Sequence, residues 1–203
     1  MLKKLIVPLS LSLALTFPVA AKAQSTYTIQ KGDSLWKIAV KNEVGLDELI
    51  KANPQLKNPS LIYPGGKISI PDLNETKSME KEVVRLVNIE RANNGLAPLK
   101  ENWELSRIAR YKSDDMISKN YFSHTSPTYG SPFKMMNSFG LKYSSAGENI
   151  AMGQKTAKEV VQGWMNSPGH RSNILNKSFT EIGVGLSKDS KGNTYWTQMF
   201  IRP

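Results

Sequence analysis

The sequence predicts an α+β protein in two unequal parts, a small βααβ module ahead of a larger domain of helices and sheet. Three observations carry this reading. Two short period-two segments enclose two short helical ones between Tyr27 and Pro71; from Met79 the apolar spacing becomes that of longer amphipathic helices; and after Glu181 it returns to period two. Helices gathered around an antiparallel sheet form a layered α+β domain.

The chain begins with Lys3 and Lys4, an apolar run from Leu5 to Ala20 and the small-residue pattern Ala21-Lys22-Ala23. That order predicts a secretory signal peptide, cleaved after Ala23. The run contains Pro8 and Pro18 and is short for a span of about 20 residues, so no membrane span is expected after cleavage. The predicted organisation is signal peptide 1–23, first module 24–71, polar linker 72–78 and second domain 79–203.

In the first module Tyr27 and Ile29 alternate with Thr28 and Gln30 as a short strand, broken by Gly32-Asp33-Ser34. Asp33 and Ser34 are suitable N-caps for a helix carrying Leu35, Trp36, Ile38 and Ala39. Leu46, Leu49 and Ile50 mark a second helix starting near Asp47. Asn53-Pro54 stops it, because the residue before a proline is pushed out of helical geometry. Tyr63-Pro64-Gly65-Gly66 is a turn, and Ile68 and Ile70 alternate in the closing strand. The segment DLNETKS, 72–78, is short and polar and reads as a linker.

In the second domain Met79, Val83, Leu86 and Val87 share one helical face, ended by Asn93-Asn94-Gly95. Leu105, Ile108, Ala109, Lys112 and Met116 mark a second helix to about Lys119. A short helix follows Pro132, and another spans about 157–166 with Val160, Val161 and Trp164 inward. Gly147-Glu148-Asn149 and Pro168-Gly169 read as turns. Ile182, Val184 and Leu186 alternate with glycines, and Tyr195 to Ile201 is rich in strand formers.

The formal charge is +10, and removing residues 1–23, with Lys3, Lys4 and Lys22 and no acid, lowers it to +7. The excess is spread along the chain, without the runs of like charge expected of a nucleic-acid binder. For an exported protein an anionic cell envelope is the matching electrostatic partner. A basic surface that only maintains solubility fits equally well. The sequence contains no cysteine, which excludes disulfides, thiol nucleophiles and Cys-ligated zinc.

The stretch YTIQKGDSLWKIAVKNEVGLDELIKANPQLKNPSLIYPGGKISIP, 27–71, resembles a LysM module. The resemblance implies binding of N-acetylglucosamine polymers, most often bacterial peptidoglycan, in a shallow groove between the loop after the first strand and the loop before the last. By match to that motif the glycan-binding residues are Gly32, Asp33, Ser34 and Leu35 on one side. Asn53, Pro54, Leu61, Ile62 and Pro64 form the other. The alternative for Leu35, Leu61 and Ile62 is a place in the core.

The only two histidines lie in YFSHTSP (His124) and WMNSPGHRSNIL (His170), with SAGENIAMG between them and EIGVGLSKDSKGNTYWTQMF after. These four blocks, in this order, resemble the CAP superfamily, or SCP-like domain, in its bacterial extracellular form. The resemblance covers 79–203 and implies an α-β-α sandwich with a cleft holding two histidines and two glutamates. His124, Glu148 and His170 match. The first glutamate of that tetrad has no counterpart, since Thr125 to Pro132 contains no acid; Glu181 lies in the last block but matches no position of the tetrad.

Two imidazoles and a carboxylate suit a divalent metal such as zinc, with a coordination position left for water, and such a water can act as a nucleophile. No local H-E-x-x-H pattern accompanies them. Three readings therefore stand side by side: metal ligation by His124, His170 and Glu148, a cleft for a non-metal ligand such as a wall component or envelope protein, and a structural His–Glu cluster. As an enzyme the protein would be a metal-dependent hydrolase of peptide or wall polymer, with the same three residues catalytic. Ser123 and Ser126 flank His124 without a G-x-S-x-G turn, so a serine nucleophile is rejected. Asn149, Trp164 and Asn173 read as hydrogen bonders and core, and Trp103, Trp196 and Phe200 as core.

Overall fold

The computed structural model describes residues 25–203; the signal-peptide reading falls on residues outside the described ones. Strand β1 (Ser25–Thr28) pairs antiparallel with β2 (Lys67–Ile70), Tyr27 opposite Ile68. Helices α1 (Leu35–Lys41) and α2 (Leu46–Lys51) lie between them in sequence. Ser34 is the N-cap of α1, its hydroxyl accepting the Lys37 N–H at 3.2 Å, which satisfies one of the free donors of the first turn. Gly45 rather than Asp47 opens α2, leaving Asp47 and Glu48 in the first turn, where negative charge suits the helix dipole. Ile29, Leu35, Ile38, Leu49 and Ile68 form the buried centre of this βααβ module.

Helix α3 (Asn74–Asn93) starts inside the segment expected to be a linker. The connection shrinks to Asp72 and Leu73, with Asp72 Oδ1 accepting the Asn74 N–H at 2.9 Å. The cause is tertiary. Lys77 donates to the Asn42 carbonyl at 3.1 Å and sits 3.7 Å from Glu43, so the first turns of α3 are fastened to the first module.

The second domain continues with β3 (Lys100–Glu101), α4 (Trp103–Ser118), α5 (Pro132–Ser138), β4 (Ser145–Met152), α6 (Ala157–Met165), α7 (Pro168–Ile174), β5 (Glu181–Lys188) and β6 (Thr194–Arg202). The sheet order is β3-β5-β6-β4, with β3 parallel to β5 and the other neighbours antiparallel. Alternation along each strand divides the core into two layers. Ile182, Val184, Leu186, Trp196 and Phe200 pack with α3 and α6 through Val83, Val87, Val160 and Trp164. Met199 and Ile201 belong to the opposite layer with Leu105, Ile108, Met135 and Met136 of α4 and α5. This is the expected α-β-α sandwich.

Two expected turns are regular structure. Gly147-Glu148-Asn149 lies within β4, and Pro168-Gly169 opens α7 with Pro168 in its first turn. Gly147 marks a close approach instead of a reversal: a Cβ there would lie 2.9 Å from the Phe179 ring and 3.2 Å from Asn173 Oδ1.

Helix α4 is pressed onto the sheet at two glycines. A Cβ on Gly183 would collide with the backbone of Leu105 and Ser106, and one on Gly185 with that of Ala109 and Arg110. Ser113 Oγ completes the contact, donating to the Gly185 carbonyl at 3.0 Å. Every residue from Leu105 to Ser113 is buried, including Arg107, Arg110 and Lys112. An amphipathic helix on a sheet would leave its outer face wet; here the first module covers it. At Gly45 any side chain would meet the Glu48 carboxylate and the Tyr111 hydroxyl. Burial pushes the Glu48 carboxyl up and the Tyr111 phenol up to about 12. Beside Glu48 and Lys51 of the first module, Arg110 Nε lies 3.6 Å from Glu80, which also accepts the Leu186 N–H at 3.0 Å. Burial raises Glu80 to about 7 despite the adjacent guanidinium. Among the described residues no helix is long and apolar enough to cross a membrane.

The close approach makes a direct prediction. Gly185→Ala forces α4 off the sheet and is expected to destabilise the fold by about 3 kcal/mol, read as a lowered urea midpoint, whereas Gly163→Ala on α6, where a Cβ meets nothing within 4 Å, should leave the midpoint unchanged or raised. Equal stability of Gly185→Ala and wild type would contradict the packing described.

Candidate functional site

The edge strand β4 carries Glu148, the carboxylate of the candidate site. Glu148 lies opposite Met199 and Asn149 opposite Gln198, so the two neighbours project to opposite faces of the sheet. The Glu148 side chain is 1% exposed, and its Oε1 lies 2.8 Å from Nδ1 of His124, whose ring is 51% exposed. Glu148 Oε2 is buried without a hydrogen-bond partner. Burial pushes this carboxyl up, opposed by the His124 hydrogen bond and the charge of Lys112.

The loop bearing His124 is fixed from below by the C-terminal half of α4. Lys112, 1% exposed, donates to the His124 carbonyl at 2.8 Å and to the Tyr121 hydroxyl at 3.2 Å. Burial lowers its pKa, partly offset by Glu148 and Asp115. Asp115 accepts hydroxyl hydrogen bonds from Ser126, Thr128 and Tyr121, each at 2.6 Å. Burial pushes the Asp115 carboxyl up, but these donors outweigh it and hold the group below its ordinary value. The segment after His124, which lacks the glutamate implied by the resemblance, thus spends Ser126 and Thr128 on binding α4.

On the other side of β4, Asn149 donates to the His170 carbonyl at 3.1 Å and to Gln198 Oε1 at 2.9 Å. Asn173 donates to the Glu148 carbonyl at 3.2 Å and to Asn149 Oδ1 at 2.8 Å. These amides lock α7, and with it His170, onto the strand carrying Glu148. Burial lowers the His170 pKa, reinforced electrostatically by the neighbouring His124.

Tertiary structure therefore brings His124 and Glu148 into direct contact and ties the His170 backbone to β4 through Asn149. Glu181 is elsewhere, accepting from Asn102 Nδ2 at 2.7 Å at the start of β5. Among the described residues no three His, Asp or Glu side chains are grouped so as to hold a metal ion. Glu148 turns one oxygen to His124 Nδ1, and the result is a hydrogen-bonded pair with a neighbouring imidazole. In this geometry the side chains of His124, Glu148 and His170 are not gathered about one point, and His124 Nδ1 and Glu148 Oε1 are taken up by each other. Lys112, Asp115 and Tyr121 are the site residues that sequence reasoning missed. Lys112 at a buried helical position was visible, but its pairing with a loop carbonyl was not.

A concavity of about 300 Å³ lies on the first module, lined by Asp33, Ser34, Leu35 and Trp36 against Pro59, Ser60, Leu61 and Ile62, with Leu46 and Ile50 between. Five of the residues expected in the groove line it: Asp33, Ser34, Leu35, Leu61 and Ile62. Leu35 also belongs to the module core, whereas Leu61 is 54% exposed. Gly32, Asn53, Pro54 and Pro64 do not line it. Asn53 is structural, donating to the Leu49 and Ser69 carbonyls at 2.8 and 2.7 Å and accepting the Ser69 N–H at 2.8 Å. Gly32 shapes the loop with φ 88°, a conformation that favours glycine. Asp33 closes the same loop by accepting the Gln30 N–H and the Tyr27 hydroxyl, and these bonds, the backbone one foremost, lower its pKa. Trp36, Pro59 and Ser60 are additions; a large aromatic beside the cap of a short helix was the signal available for Trp36.

Comparison with known proteins agrees with both halves. The model described as the cysteine-rich secretory protein family, CAP, matches residues 84–200, and that of the LysM domain matches residues 27–71. The uncharacterized protein YkwD of Bacillus subtilis (strain 168) is 58% identical over 128 residues, 63% of this chain and 49% of that protein. The uncharacterized membrane protein YlbC of the same strain is 38% identical over 148 residues, 70% of this chain and 41% of that protein. The chain thus spans half or less of the length of these relatives. A crystal structure of an extracellular protein containing an SCP domain from Bacillus anthracis str. Ames aligns with a TM-score of 0.59 at 33% identity, covering 69% of this chain and 47% of that one.

The Asp115 cluster sets an expectation with a defined pH dependence. Asp115→Asn should cost about 2 kcal/mol at pH 7, the scale of hydrogen bonds to a charged group. Because the folded carboxyl lies below the unfolded value of 3.8, its contribution is complete above that value and fades as pH falls through the folded pKa. Denaturant titrations should therefore show the gap between wild type and variant narrowing below about pH 4; a constant gap from pH 7 to 3 would disprove the assignment.

Proposed function

We propose that this chain, which belongs to the CAP family and carries a LysM domain ahead of its CAP domain, is a secreted, wall-associated protein that docks on N-acetylglucosamine glycan and presents the His124–Glu148 cleft to a ligand there. The observation that carries the reading is the groove between Asp33–Trp36 and Pro59–Ile62. It combines the hydroxyls of Ser34 and Ser60 with the apolar surfaces of Leu61 and Ile62, matching the amide and methyl of an N-acetyl group. Few polar groups on a mostly apolar concavity are the usual form of a small-ligand site. Peptidoglycan is the polymer that meets this chemistry outside a bacterial cell, and the basic charge that remains without the leader, +7, favours an anionic envelope.

In the CAP domain the half-exposed His124 ring is oriented by a buried carboxylate, and His170 adds a second imidazole. Such a site takes a polar group of a wall component or an envelope protein as hydrogen-bond donor or acceptor. The hydrolytic alternative would have His124 and His170 ligate a metal, with Glu148 orienting the His124 ring through its Nδ1.

Calorimetric titration of residues 24–203 with N-acetylglucosamine pentamer, alongside sedimentation with purified peptidoglycan, tests the reading. Binding is expected, weakened about tenfold or more by Leu61→Asp, which places an ion on the apolar wall. No binding of wild type to either glycan would sink the proposal. In parallel, zinc titration of wild type and the double variant His124→Ala/His170→Ala is expected to give no stoichiometric uptake; uptake confined to wild type would restore the metal reading and, with it, the hydrolase.

A further inference from the structure

Arg107 lies on α4 of the CAP domain, 5% exposed, with its guanidinium surrounded by aromatic rings. Its carbon is 4.9 Å from the centroid of Trp36, 5.6 Å from Tyr111, 5.5 Å from Phe139 and 5.9 Å from Trp103. No ion pair to Arg107 occurs among the described residues, and its Nε has no hydrogen-bond partner. The charge is therefore stabilised by ring faces, an arrangement that gains strength when water is excluded, together with a hydrogen bond to the Tyr111 phenol. Three of the rings belong to the CAP domain. The fourth, Trp36, belongs to LysM, is 41% exposed and lines the glycan groove.

We propose that Arg107 is a positioning residue for glycan binding: it fixes the Trp36 indole as one wall of the LysM groove, so that the CAP domain completes the binding site of its neighbour. The inference rests on the glycan reading of that groove. An indole beside a short helix's N-cap has rotamers to choose from, and a wall that must be immobilised on binding weakens affinity. The guanidinium removes that choice before the ligand arrives. The exposed part of the ring remains free for the apolar C–H face of a pyranose. Linkage then works both ways: glycan resting on Trp36 strengthens the docking of LysM on α4, and loosening that docking weakens the glycan. The groove and the His124–Glu148 cleft become two sites on one scaffold, both set by α4.

The test uses residues 24–203 throughout, titrated calorimetrically with N-acetylglucosamine pentamer: wild type, Arg107→Ala, Arg107→Lys, Trp36→Ala and the double variant Arg107→Ala/Trp36→Ala, each checked for its melting transition. Arg107→Ala and Trp36→Ala are each expected to weaken binding about tenfold and the double variant no further, because both remove the same wall. Arg107→Lys, which keeps the charge and the stem, should recover part of the loss and serves as the readout if Arg107→Ala melts early. Unchanged affinity in Arg107→Ala or, where that variant does not fold, in Arg107→Lys overturns the inference while leaving the glycan reading intact. Losses that add in the double variant also overturn it, since Arg107 would then act on the fold in general. Absence of binding by wild type overturns both.

Discussion

The contact between α4 and β5 is the constraint on which the other features hang. Two side-chain-free positions, Gly183 and Gly185, let the helix backbone rest directly on the strand. At that distance the whole circumference of α4 is used: one side is core, one side meets LysM, and its C-terminal half reaches under the cleft. Lys112 and Asp115 hold the His124 loop because α4 is held first. Arg107 and Arg110 meet the LysM face for the same reason. A helix lying farther from the sheet would separate these tasks.

Buried charge in this protein is accommodated by hydrogen bonds and ring faces more than by ion pairs. Lys112 is satisfied by a carbonyl and a phenol, Arg107 by aromatic faces, Asp115 by three hydroxyls, and Glu80 by a guanidinium and a backbone amide. Only the last resembles a simple ion pair. For Glu80, Glu48 and Glu148 burial outweighs the neighbouring cations and raises the carboxyl; for Asp115 the donors win. The difference lies in the number of hydrogen bonds to the charged form, since these favour ionisation where burial alone opposes it. Glu148 is thus a carboxyl with one hydrogen bond, to His124, and one buried oxygen without a partner.

Much of the architecture was legible because it is written at short range. Ser34 as a cap, Pro132 as a helix start, the glycines alternating with Ile182, Val184 and Leu186, and the four blocks around the two histidines all act within a few residues. The misreadings came where local and tertiary demands point in different directions. Gly147 reads as a turn because glycine usually serves one, yet here it yields space to Phe179 within a strand. Residues 74–78 read as a linker because they are polar, yet Lys77 anchors them as helix. Asn53 carries a groove motif but spends its amide tying α2 to β2.

The sequence by itself determined the two-part α+β division and the LysM and CAP resemblances, since these rest on periodicity and motif order. Only the tertiary structure decided that Glu148 bonds to His124, that Lys112 and Asp115 support the loop, and that Trp36 of one domain faces Arg107 of the other. Those contacts join residues whose relation is a distance and an angle across packed layers, and a charged residue in a helical pattern looks the same whether its partner is water, a carboxylate or an indole.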